Sequence, residues 1–218
     1  MTNLLTALGC ALACGLVAAA CTGWIRRVAD SGSAWITRGT HVVLAAAGGA
    51  GASVLASGWA ELVAFCLLAV SCGLLMAIDL AVYRLPDVIV GPMYPALLAA
   101  LVVAAAVSGD WGALGRALAA AGVLLAGYFA LAWINPSGLG LGDVKLSGPL
   151  GAFLGWLGWP AVVAGTLAAF VINAVIALVL LAAGRVGLKS GIAFGPAMVV
   201  GAAAGAAYWA WRTSAGLT

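Results

Sequence analysis

Charge is scarce in this sequence. Nine Lys or Arg and six Asp or Glu serve 218 residues, with a single histidine, so 7% of positions are charged while 66% are hydrophobic. A soluble domain is charged at roughly a quarter of its positions. So few charges cannot coat a globule, which excludes a water-soluble domain and leaves lipid as the solvent for most of the surface. The basic residues are scattered, with no cluster beyond Arg26-Arg27, and nucleic acid is not an expected partner. No CxxC pair occurs: Cys10, Cys14, Cys21, Cys66 and Cys72 all fall inside apolar segments. They read as buried, inert thiols, and neither a zinc site nor a disulfide framework is indicated. The first apolar stretch lacks a basic region before it and is long enough to span, so a cleaved signal peptide is not expected.

What the sequence does have is apolar runs of about 20 residues, the length that crosses a bilayer as a helix. Eight spans are expected, at 4–24, 41–58, 60–83, 88–107, 113–134, 144–158, 160–183 and 192–211. The fold class is therefore all-α, a polytopic membrane helical bundle, some of whose helices are short or interrupted by Gly and Pro. With no internal repeat and no long linker, residues 1–218 read as a single domain. Gly48, Gly49, Gly51 and Gly58 dilute the second span, which could be re-entrant. Trp24, Trp59, Trp111, Trp133, Trp156, Trp159, Trp209 and Trp211 lie near span ends, where interfacial anchors belong. Arg26, Arg27, Arg38, Arg84, Lys145, Arg185 and Lys189 fall on one side, against Arg116 and Arg212 on the other. The positive-inside tendency makes the first side cytoplasmic.

Of the six carboxylates, Asp30, Glu61 and Asp110 sit in loops or at span ends facing water. Asp79 does not. It lies in SCGLLMAIDLAVYRLPD, five residues (about 7 Å of helix) before Arg84. An ionisable group within a membrane helix is costly and is a functional candidate by default. Pro86 pushes Leu85 out of the helical region and ends that helix. Asp87 comes next on the turn, where it could cap the following helix.

Asp143 belongs to GLGLGDVKL at 138–146, after Asn135-Pro136-Ser137. The next apolar segment is only about 15 residues, short for a span. The glycine segment is therefore expected to dip into the membrane against protein or a wet cavity, its glycines allowing positive φ and close backbone approach. Asp79 and Asp143 then share one membrane face at similar depth and could meet. Two carboxyls in a poorly solvated pocket share a proton. The protonated one can polarise a peptide carbonyl while the ionised one deprotonates water. Lys145 could favour the charged form of Asp143, or simply snorkel to the interface. Two carboxylates and a water suffice, so no metal or other cofactor is called for.

Four stretches together resemble the type IV prepilin peptidase family, membrane aspartic proteases sharing a GxGD signature with presenilins. IDLAVYRLPD (78–87) is similar to the family's first aspartate segment, and GLGLGDVKL to its second. LGAFLGW (150–156) resembles the stretch that usually comes after that second segment, and IAFGP (192–196) resembles the family's late IPFGP. The resemblance, from about residue 60 to 205, implies an aspartic endopeptidase with Asp79 and Asp143 as its catalytic pair. Gly140, Gly142, Lys145 and Asp87 would belong to the active-site loops, with Asp87 structural or substrate-orienting. It implies as partners type IV pilin-like precursors, cut at the cytoplasmic face of the bacterial membrane just before their hydrophobic helix. Long members carry paired CxxC motifs in a cytoplasmic region and also methylate the new N-terminus. Here the first loop, RRVADSGSAWITRGTH at its core, has no cysteine, so methyltransferase activity and S-adenosylmethionine binding are not expected.

A small ion- or proton-coupled transporter using the same two aspartates would equally explain intramembrane acids and broken helices, but not the joint LPD, GLGD and FGP patterns. An assembly role is a third reading. His41 is read as interfacial rather than catalytic. Mid-span Asn173 is expected to make an interhelical hydrogen bond, and the Gly/Ala abundance to reflect close helix packing.

Overall fold

The computed structural model of the chain describes residues 4–135, 138–184 and 193–217. Pro136, Ser137, Arg185, Lys189 and Ile192 lie outside the described residues. Among the described residues there are ten helices and no strand: α1 (Leu4–Ala20), α2 (Thr22–Ala29), α3 (Ala34–Thr37), α4 (Thr40–Leu55), α5 (Trp59–Val82), α6 (Asp87–Ser108), α7 (Trp111–Ile134), α8 (Leu141–Leu157), α9 (Trp159–Ala182) and α10 (Gly195–Ser214). Large apolar side chains such as Val163, Leu167, Val171 and Leu178 on α9 stand exposed. Water would not tolerate such a face, but lipid does. The protein is an all-α, multi-pass membrane protein.

Each expected span corresponds to a helix, but eight full crossings are not supported. Among the described residues α5, α6, α7 and α9 are long and apolar enough to cross unaided; α1 with α2, bent by 49°, could supply a fifth. At 16 and 17 residues, α4 and α8 reach only about 25 Å, short of a hydrocarbon core of roughly 30 Å.

The chain forms two compact units, residues 1–114 and 115–218. In the first, α4 packs against both α1 and α5, and α6 packs against α5. The glycines that dilute the second span make this possible. A Cβ on Gly48 would come 2.8 Å from the Ala69 Cβ of α5, and one on Gly49 2.6 Å from the Cys10 carbonyl of α1. Gly73 of α5 presses equally close, its added Cβ falling 2.9 Å from the carbonyl of His41. His41 is fully buried, its Nε2 2.9 Å from Thr22 Oγ1. The Thr22 hydroxyl already donates to the Ala19 carbonyl, so the imidazole Nε2–H is the donor in that pair.

In the second unit, α8 has buried residues all round its axis, and 13 of its 17 residues are buried. Gly151 and Gly155 set its approach to α7. An added Cβ would lie 2.8 Å from the Ala120 carbonyl in the first case and 2.7 Å from the Arg116 carbonyl in the second. α9 and α10 meet through Gly165, Gly201 and Gly205. This is the small-residue packing expected of membrane helices. Two expectations fail here. Trp156 is not an interfacial anchor but a core residue, 5% exposed. Asn173 Oδ1 is buried without a hydrogen-bond partner among the described residues. Trp59, Trp111 and Trp159, by contrast, stand exposed at the first positions of α5, α7 and α9.

Candidate functional site

In the first unit the candidate residues gather at the α5–α6 turn. All eight consecutive residues from Cys72 to Asp79 are buried, so this part of α5 is enclosed on every face. Asp79 is only 4% exposed, four positions before the C-cap. The helix ends because Tyr83 adopts the left-handed conformation (φ 55°), donating its N–H to the Asp79 carbonyl at 2.8 Å. Pro86, extended at φ −71° and ψ 132°, is the residue that precedes α6. Asp87 therefore does not cap α6 from the turn. It is the first helical residue and exposed, where a negative charge complements the helix N-terminus.

In the second unit the GLGD segment opens α8. Gly140 is the N-cap at φ −75° and ψ 150°, Gly142 is already helical, and neither they nor Gly138 have positive φ. The expected use of left-handed backbone is thus wrong, but the expected close approach holds. A side chain on Gly138 would overlap the Asn135 amide, and one on Gly140 would lie 3.3 Å from the Asp143 carboxylate. Asp143 is the third residue of α8, 9% exposed, and its Oδ2 accepts the Gly140 N–H at 3.2 Å. That is one half of a capping box. Lys145 is exposed and two positions on, a spacing that turns it to another face of the helix.

Three residues of this unit were not singled out from the sequence. Tyr128 on α7 is buried, and its phenol lies within electrostatic reach of the Asp143 carboxylate. Its ring packs against Phe170 and Phe194, at centroid distances of 5.6 and 6.1 Å. Phe194 belongs to the IAFGP stretch, which gives that motif a packing role against Tyr128 and Phe170. Ser147 is fully buried one turn along α8 from Asp143, its hydroxyl donating to the Val144 carbonyl at 2.7 Å. Thr166 Oγ1 on α9 is buried with no hydrogen-bond partner among the described residues. A polar side chain within an apolar span was the signal for Tyr128 and Thr166.

Asp79 belongs to the first unit and Asp143 to the second, and each is buried. A buried carboxyl of either kind can act as a general acid or base. Among the described residues no group of three or more His, Cys, Asp or Glu is placed to hold a metal ion.

A family model described as the type IV leader peptidase family matches residues 66–182, which include both aspartates. Two curated relatives from Burkholderia pseudomallei, strains 1026b and K96243, are each named prepilin leader peptidase/N-methyltransferase. Each is 35% identical over 136 residues, covering 59% of this chain and 40% of the relative. The match thus spans well under half the length of those relatives. No solved structure matches the chain.

Proposed function

The chain belongs to the type IV leader peptidase family, and from that premise we propose that it is a membrane-embedded aspartic endopeptidase that removes the short basic leader of type IV pilin-like precursors. Asp79 and Asp143 are its catalytic pair. The observation that carries the reading is that, in a chain with six acidic residues, the two inside the IDxxxxxLPD and GLGD stretches are both buried, Asp79 on a helix long and apolar enough to cross a membrane and Asp143 in the first turn of α8. Ionised carboxylates in such surroundings need a strong reason.

Helix polarity suggests how the pair divides its work. Asp143 sits in the first turn of α8, where the helix end and the Gly140 N–H favour a carboxylate. Asp79 sits near the C-terminal end of α5, where a negative charge is disfavoured. Asp79 accordingly carries a proton and polarises the scissile carbonyl, and Asp143 takes a proton from the attacking water. The water oxygen bonds to the carbonyl carbon, giving a tetrahedral intermediate. Asp143 returns its proton to the leaving amine as the C–N bond breaks. Asp87, exposed at the start of α6, orients substrate or supports the turn.

The α5–α6 turn faces the cytoplasm in this reading, the side on which a precursor's basic leader would lie; the excess of basic residues in the loops grouped with it supports that orientation. The relatives' name includes a methyltransferase, but the likeness is confined to 40% of their length. The proposal is limited to the peptidase.

Co-expression with a tagged pilin-like precursor tests this reading. The leader is lost and a new N-terminus appears by mass spectrometry just before the hydrophobic helix. A wild-type protein that leaves every pilin-like precursor of its own organism uncut would refute it. Asp-dependent ion flux in proteoliposomes would then become the reading to pursue.

A further inference from the structure

The packing of α7 on α8 has a register. Gly151 meets Ala120, and Gly155, one turn on, meets Arg116 and Ala117, one turn back. Continuing that antiparallel pairing toward the connecting loop sets Leu124 beside Ser147 and Tyr128 beside Asp143. Leu124 and Ser147 do line one small pocket with Tyr128, and Thr166 of α9 lines it too. The pocket holds about 10 Å³, roughly the space of a single water. Around it are three hydroxyls, one of them, Thr166 Oγ1, with an unmet hydrogen bond among the described residues.

We infer that Tyr128 is a positioning residue for Asp143, and that it is itself oriented by a water held between Tyr128, Ser147 and Thr166. The donors and acceptors close without remainder. Ser147 has already given its proton to Val144, so its oxygen accepts from the water. Thr166 donates to the water. The water's second proton goes to the Tyr128 oxygen, and the phenol O–H is left to donate to the Asp143 carboxylate. Three partners are what a buried water ordinarily has. The Phe170 and Phe194 rings hold the phenol in place. The inference rests on the peptidase reading only for its catalytic consequence. The chain from Thr166 to Asp143 stands or falls independently.

Two readouts separate the cases, both on the full-length protein in membranes. The first is the pH–rate profile of precursor cleavage. The second is labelling of Asp143 by dicyclohexylcarbodiimide, which adds to protonated carboxyls, quantified by mass spectrometry across pH. Tyr128→Phe removes one oxygen and keeps the ring packing. It should lower kcat about tenfold or more with little change in KM, since a hydrogen bond to a charged group is lost. The acidic limb of the profile and the labelling midpoint should both move up by about one pH unit. Thr166→Val should shift both in the same direction by less, and add little to Tyr128→Phe. A Tyr128→Phe protein with wild-type profile and labelling overturns the inference while leaving a cleaving enzyme intact. Shifted labelling in a protein that cuts no precursor upholds it and removes the peptidase reading. A Thr166→Val protein identical to wild type, with Tyr128→Phe shifted, eliminates the water and overturns that half.

Discussion

The α7–α8 contact is close enough for a single methyl group to test. A Cβ on Gly155 would fall 2.5 Å from the Ala120 Cβ, 2.7 Å from the Arg116 carbonyl oxygen and 3.0 Å from the Ala117 Cα. The last two are backbone atoms, which no rotamer change can remove. Restoring ordinary contact requires the two helices to part by about 0.7 Å. Overpacking of this kind costs roughly 1–3 kcal/mol. The control is Gly122 on α7, where an added Cβ meets nothing within 4 Å. There Gly→Ala should be neutral or stabilising by about 0.5–1 kcal/mol, as in any helix interior. Both variants would be unfolded in mixed micelles by increasing SDS fraction and followed by tryptophan fluorescence. Gly155→Ala should unfold at clearly lower denaturant than wild type, and Gly122→Ala should not. Equal midpoints for the two would show that the helices do not approach as closely as described, and the register that pairs Tyr128 with Asp143 would fall with it.

Other predictions concern single contacts. Asp87→Asn should insert and still cleave, with any defect appearing in KM; complete loss of cleavage in this variant, with Asp79→Asn active, would move the catalytic role to Asp87. Thr22→Val leaves the buried His41 Nε2–H without its acceptor and should cost about 1–3 kcal/mol in the same SDS titration. Against a His41→Leu background the same change should cost much less. Tyr83→Gly relieves a left-handed side-chain-bearing residue and should be neutral or stabilising by up to about 1 kcal/mol; a destabilised variant would show that the exposed Tyr83 ring contributes contacts of its own.

The carboxylates were legible in the sequence because charge is so rare that Asp79 and Asp143 stand out against their apolar neighbours. The existence of each long helix was legible for the same reason. What hydropathy could not distinguish was lipid from protein as the apolar surroundings. α8 reads as a short span, yet 13 of its 17 residues are buried, and Trp156, placed by sequence at a membrane interface, is buried with them. The glycines stand out in the sequence, but their use there differs from the expected one. Gly140 and Gly142 have ordinary backbone angles, and what Gly138 and Gly140 provide is room beside Asn135 and Asp143. Gly48 and Gly49, read as weakening a span, allow α4 to seat against α5 and α1. Tyr128 shows in the sequence only as a phenol within an apolar span; its relation to Asp143 depends on helix register, which no local pattern records. The same holds for His41, whose partner Thr22 lies beyond a break in the first helix at Cys21.

The central claim is that Asp79 and Asp143 together perform the cleavage. Its most direct test is the purified protein in proteoliposomes with a synthetic pilin-like precursor, the product masses being read over time. Wild type should make one cut at the leader junction. Asp79→Asn and Asp143→Asn should each make none, while unfolding in SDS at the wild-type midpoint. Cleavage at the wild-type rate by either variant would contradict the account.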